Sequence, residues 1–94
     1  MATFFMFGNY TSEAIKAMSA ARTELVVKEI KKMKGEVSAM HALLGQYDLL
    51  FCVNLPSVEA AMKASVNIAR LTGISFNTFP AIAVETFDQL TAKE

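Results

Sequence analysis

Leu43-Leu44-Gly45-Gln46-Tyr47-Asp48-Leu49-Leu50-Phe51 is the stretch on which the fold turns. Two apolar runs meet at a Gly-Gln pair, and the second run opens with Tyr47-Asp48. Glycine takes up the positive φ that a two-residue hairpin turn needs, so the runs read as antiparallel neighbours joined at Gly45-Gln46. That turn sets a register in which Leu44 faces Tyr47, Leu43 faces Asp48 and His41 faces Leu50. Asp48 then places a carboxylate one step past the turn, at the mouth of an otherwise apolar hairpin. It is the least expected residue in the chain.

Working outward, Glu36 to Leu44 and Tyr47 to Leu55 form the two hairpin strands. Strict alternation puts Ala39, His41, Leu43, Asp48, Leu50, Cys52 and Asn54 on one face. Met40, Ala42, Leu44, Tyr47, Leu49, Phe51 and Val53 share the other, which is apolar apart from the tyrosine hydroxyl and is expected to lie under helices. The first face is too apolar for open solvent and too polar for a sealed core. It suits a sheet face that a partner closes over, leaving a partly polar cavity.

Before the hairpin, Thr3-Phe4-Phe5-Met6-Phe7 has no helical period and reads as a doubly buried strand. Asn9-Tyr10-Thr11-Ser12 supplies turn and cap chemistry, with Thr11 or Ser12 as N-cap. Glu13 to Lys34 lacks Gly and Pro and places Ile15, Val26, Ile30 and Met33 on one side of a helix. Arg22 and Glu29 interrupt that side, so the helix bends near Ser19–Arg22 or these two residues meet something specific. An ion pair between Arg22 and Glu29 or Asp48 is the plain expectation. Lys31, Lys32 and Lys34 crowd the last turn, and Gly35 is the expected stop.

After the hairpin, Ser57 caps a second helix that ends at Thr72-Gly73. Glu59, Lys63 and Arg70 form its one narrow polar stripe, leaving an apolar arc of roughly 200°, about twice that of a one-sided surface helix. Such a helix wants a second partner besides the sheet. Ile74 to Phe79 is the last strand, stopped by Pro80, and Val84, Phe87 and Leu90 are spaced for a short C-terminal amphipathic helix able to dock on a neighbour.

Composition narrows the functional classes. The 94 residues are read as one domain, residues 1–94, and 53% of them are hydrophobic, more apolar surface than so short a chain hides easily. Burial against another copy follows, and the expected partner is the chain itself, as a homodimer or larger assembly. Nine acidic and nine basic residues cancel, so no positive field exists to track nucleic acid. The apolar start, Met1 to Phe7, is too short to span a bilayer and lacks a signal-peptide layout, so no membrane partner is expected. Cys52 is the sole cysteine, which suits a reducing cytoplasm.

The order strand, helix, strand, strand, helix, strand predicts an α+β, ferredoxin-like βαββαβ fold with a four-stranded antiparallel sheet. Both helices cover one face. The other face is expected to close on a second sheet across a two-fold axis, giving a dimeric α/β barrel. Gly45-Gln46-Tyr47-Asp48-Leu49, Gly8-Asn9-Tyr10-Thr11 and Phe79-Pro80-Ala81-Ile82-Ala83-Val84-Glu85 together resemble the GYD-domain family almost from end to end. Arg22 falls where members of that family tend to carry an arginine. Asn54 and Gly73-Ile74-Ser75 depart from its pattern. The resemblance implies the fold; the family itself has no settled activity.

Candidate chemistry is sparse. The ligand-binding set is Asp48, His41, Cys52, Asn54, Tyr47 and Arg22, and a site is expected on the face carrying His41, Asp48, Cys52 and Asn54. His41, the only histidine, and Asp48 are the one pair that could serve as acid and base. Each has a plainer reading, His41 as seam filler and Asp48 as an acceptor that fixes hairpin register. No Gly-rich phosphate loop, metal-ligand spacing or Ser-His-Asp order occurs, so neither metal nor cofactor is expected. Two functions remain open: an oligomeric module that binds a small apolar or aromatic molecule or serves in assembly, and a cofactor-independent enzyme acting on a small organic molecule in a barrel cleft.

Overall fold

Alternation along the first strand, β1 (Ala2–Tyr10), decides which side of the sheet the helices take. In the computed structural model, which describes residues 1–93, Phe4 and Met6 are buried on one side while Phe5 is exposed on the other. The chain continues through α1 (Ser12–Lys16), α2 (Ala20–Lys32), β2 (Glu36–Ala42), β3 (Leu49–Leu55), α3 (Val58–Thr72), β4 (Ile74–Ala81) and α4 (Val84–Thr91). The four strands form one antiparallel sheet in the order β2-β3-β1-β4, the ferredoxin-like arrangement. Phe4, Met6, Phe51, Val53 and Leu55 from the sheet pack against Val26 and Ile30 of α2 and Ala61, Ala64 and Ile68 of α3. Each fully buried large side chain contributes roughly 1.5–3 kcal/mol relative to exposure.

The first helical region is two helices. Thr11 caps α1, accepting a hydrogen bond from Ala14 N–H at 3.1 Å, and Ser19 caps α2 through Arg22 N–H at 3.1 Å. The break at Ala17–Ser19 shifts the helical phase, so Ala14 is buried and Ile15, expected inside, is exposed. The bend predicted near Ser19–Arg22 is therefore a full interruption with its own cap.

The end of α2 differs from expectation. Lys34, not Gly35, takes the left-handed conformation, with φ 62°. Gly35 N–H donates to Ile30 O and Lys34 N–H to Lys31 O, each at 3.0 Å, the paired bonds of a Schellman cap. Gly35 is needed for space instead: a Cβ there would lie 2.5 Å from the Asn54 carbonyl and from a Leu55 methyl.

In the hairpin the predicted register holds, with His41 opposite Leu50 and Leu43 N–H donating to the Asp48 carbonyl at 2.8 Å. The strands stop short of the turn, leaving Leu43–Asp48 as the connection, Leu44 fully exposed and Gly45 at φ 133°. A bulge between Val37 and Ala39 changes the facing of β2, so Val37 lies opposite Val53 and Ala39 opposite Cys52. The last strand also runs past the predicted stop: Pro80 pairs with Phe4, which an edge strand tolerates because its outer N–H positions need no partner.

Three apolar surfaces stay exposed. The sheet face opposite the helices carries Phe5, Phe7, Leu50 and Phe79, with Phe7 and Phe79 edge to face at 5.8 Å. The C-terminal helix α4 buries no residue, and Val84, Phe87 and Leu90 are all exposed. On α3, Val58, Met62 and Val66 form a third exposed stripe, the outer part of the wide apolar arc.

Candidate functional site

The six residues singled out from sequence divide between the two sides of the sheet. Asp48 sits where the β1–β3 ladder ends at the Gly8–Leu49 pair. Its N–H donates to Gly8 O at 2.8 Å, and its carboxylate oxygen Oδ2 accepts from Tyr10 N–H at 2.8 Å. The side chain thus stands in for the missing next carbonyl and carries the pairing of β1 two residues further, to the point where Thr11 caps α1. No hydrogen bond joins Asp48 to His41 among the described residues.

Tyr47 departs from the face assigned to it. Its ring lies 4.9 Å from that of Phe7, on the open side, because the residues beyond Ala42 belong to a loop and no longer follow strand alternation. Cys52 and Asn54 are half-buried on the same open side, and Asn54 Oδ1 accepts from the Thr3 hydroxyl at 2.8 Å. The Cys52 thiol is free.

Arg22 makes neither of the expected ion pairs. Its guanidinium donates to the Ala14 carbonyl at the end of α1 and lies over the Tyr10 ring, 5.4 Å from the centroid. Glu29 is occupied elsewhere, accepting from Asn67 Nδ2 of α3 at 3.0 Å and standing 3.9 Å from Lys32 Nζ. Among the described residues no carboxylate comes within 4 Å of Arg22.

Arg22 also lines a cavity on the helix side, of about 140 Å³. Val26 of α2, Met40 of β2, Leu49 and Phe51 of β3 and Ile74 of β4 form its apolar wall. Tyr10, Arg22 and Thr23 supply polar groups around it. The cavity therefore takes only Arg22 from the sequence-derived set: His41 touches its border, but its pairing with Leu50 puts its side chain on the open face, and Asp48, Tyr47, Cys52 and Asn54 lie outside. It lies across the sheet from the face on which a site was expected. Tyr10 reads from sequence as turn but is the last residue of β1, and the position of Thr23 follows from the restart of the helix at Ser19, which periodicity does not show.

The arrangement can hold a small molecule with one polar end. It offers no nucleophile set against a base. Among the described residues no three His, Cys, Asp or Glu side chains converge to hold a metal, and no helix is long and apolar enough to cross a membrane.

Two solved structures share the fold. The leucine response regulatory protein LrpA of Mycobacterium tuberculosis superposes with a TM-score of 0.58 at 10% identity, over 87% of this chain and 51% of that one. This chain thus spans about half the length of that regulator. A hypothetical protein, PHS023 from Pyrococcus horikoshii, superposes with a TM-score of 0.56 at 20% identity, over 88% of this chain and 92% of that one. Comparison with curated proteins finds no match. The family model of the GYD domain matches residues 4–91, the hairpin motif and both cap regions included, and the chain belongs to the GYD domain family.

Proposed function

We propose that this chain is a non-catalytic binding module that works as a homo-oligomer, two sheets closing face to face as in a dimeric α/β barrel. One observation carries the assembly: the sheet is apolar on both faces and the helices cover only one. Phe5 is 36% exposed in the middle of the bare face and Phe79 48% at its edge, beside half-buried Leu50. A contiguous aromatic face of this kind marks a protein contact. The free Cys52 thiol is compatible with the cytoplasm as the compartment.

The helix-side cavity favours a small, mostly apolar ligand as the molecule bound. The enzymatic alternative, with His41 and Asp48 as acid and base, is disfavoured because the Asp48 carboxylate is engaged by Tyr10 N–H and no hydrogen bond joins it to His41 among the described residues. Analytical ultracentrifugation tests the assembly. At micromolar concentration the chain is expected to sediment as a dimer or larger, and Phe5→Glu to sediment as a monomer with unchanged circular dichroism. A wild-type chain that sediments as a stable folded monomer overturns the proposal.

A further inference from the structure

The cavity beside Arg22 carries a ligand class. We infer that it is a carboxylate site: Arg22 takes the carboxylate of a small monocarboxylic acid, and the apolar remainder lies against Val26, Leu49 and Phe51. This rests on the small-molecule reading above and goes further by naming the chemistry.

The first observation is an uncompensated cation. A guanidinium has five N–H donors in a planar fork and stays charged at any physiological pH. The Ala14 carbonyl accepts one of these and the Tyr10 ring covers one face, which holds the group in place without neutralising it. The two carboxylates expected from sequence to pair with it are engaged elsewhere, Asp48 by Tyr10 N–H and Glu29 by Asn67. Placement adds a second cost. Arg22 lies in the first turn of α2, at the positive end of a 13-residue helix whose first turn has no acidic residue. A cation there opposes the helix dipole, and a bound anion would offset both.

The second observation is size. A cavity of about 140 Å³ is close to the roughly 150 Å³ that holds a benzene ring in an engineered apolar site. A phenyl ring or a branched four- or five-carbon chain matches that volume. The apolar wall also selects among anions, since a phosphate dianion set against Phe51 and Leu49 with a single arginine loses more hydration than that one group returns. A carboxylate matches the arginine fork with two parallel hydrogen bonds and turns its apolar end inward.

The test uses the full-length protein, with benzoate, isovalerate, benzamide and inorganic phosphate as probes. Binding is followed by titration with ¹H–¹⁵N correlation spectra and by calorimetry. Benzoate or isovalerate is expected to shift the amide signals of Val26, Leu49 and Phe51, with a Kd at least tenfold below that of neutral, near-isosteric benzamide. Phosphate is expected to leave these signals in place. Arg22→Gln should erase the preference for benzoate while leaving benzamide binding within about twofold, and Arg22→Lys should retain part of it. Should Arg22→Gln not fold, the benzoate-to-benzamide ratio in the wild type decides alone. Equal affinity for benzoate and benzamide overturns the carboxylate assignment and leaves the small-molecule reading standing. If no probe shifts these signals, both are overturned.

Discussion

Replacing Asp48 by Ala tests whether the Tyr-Asp pair of the hairpin serves the scaffold. The substitution removes the acceptor of Tyr10 N–H and leaves the backbone bond from Asp48 N–H to Gly8 O intact. A hydrogen bond to a charged group contributes about 1.5–3 kcal/mol, and an orphaned donor costs about 1–3 kcal/mol where water cannot reach it. Asp48 is half-buried, so water recovers part of the loss and about 1–2 kcal/mol is expected. In a domain of this length each kcal/mol moves Tm by about 4–8 °C, so Asp48→Ala should melt about 5–15 °C below the wild type. Asp48→Asn keeps an oxygen in the same place and should lose about half as much. Melting must be compared at one protein concentration, because self-association would otherwise contribute. Amide exchange supplies the local readout: the Tyr10 N–H should lose protection in Asp48→Ala well beyond that of its neighbours in β1. An Asp48→Ala variant as stable as the parent, with Tyr10 still protected, refutes the reasoning.

Two other outcomes follow from the same geometry. Gly35→Ala should cost about 1–3 kcal/mol through the clash with the Asn54 carbonyl and Leu55, whereas Gly45→Val, with open space around the new side chain but φ 133°, should cost on the order of 1 kcal/mol from backbone strain alone; urea denaturation checks the order of the two. Removing residues 82–94 should leave the core intact but weaken self-association at least tenfold in sedimentation, since Val84, Phe87 and Leu90 are exposed and α4 buries no residue.

The fold was legible because its signals are local. Ser57 and Gly73 bound α3 as cap and stop chemistry requires, and the Gly45 turn set a register that the strands keep. What the sequence hid were effects that depend on a third element. Periodicity could not show whether the helix after β1 bends or restarts, since Ser19 reads equally well as a helix-surface residue; only its restart puts Arg22 over Tyr10. The bulge at Val37/Ala39 has no glycine to announce it. Gly35 looked like a helix stop because glycine usually is one, and its reason is a close approach to Asn54, 19 positions later in the chain, that no local pattern encodes. The cavity was illegible for the same cause: its lining comes from α2 and all four strands, and alternation in the hairpin pointed to the opposite face.

Tyr47 and Asp48 tie one loop to β1 from two sides, the ring against Phe7 on the bare face and the carboxylate against Tyr10 N–H. The two partners flank Gly8 and Asn9, so the pair pins the segment that ends the strand and launches α1. Tyr10 in turn carries Arg22 on its ring. A change at Asp48 can therefore reach the cavity without any group of Asp48 entering it, and loss of ligand binding in an Asp48 variant would not make that residue a ligand or a base. The separation is made by Arg22→Gln, which should abolish the preference for a carboxylate while leaving neutral benzamide bound. Asp48→Ala, by contrast, should lower stability and weaken charged and neutral ligands alike. A motif that acts in this way identifies the fold of its relatives and leaves their chemistry to be read from other residues.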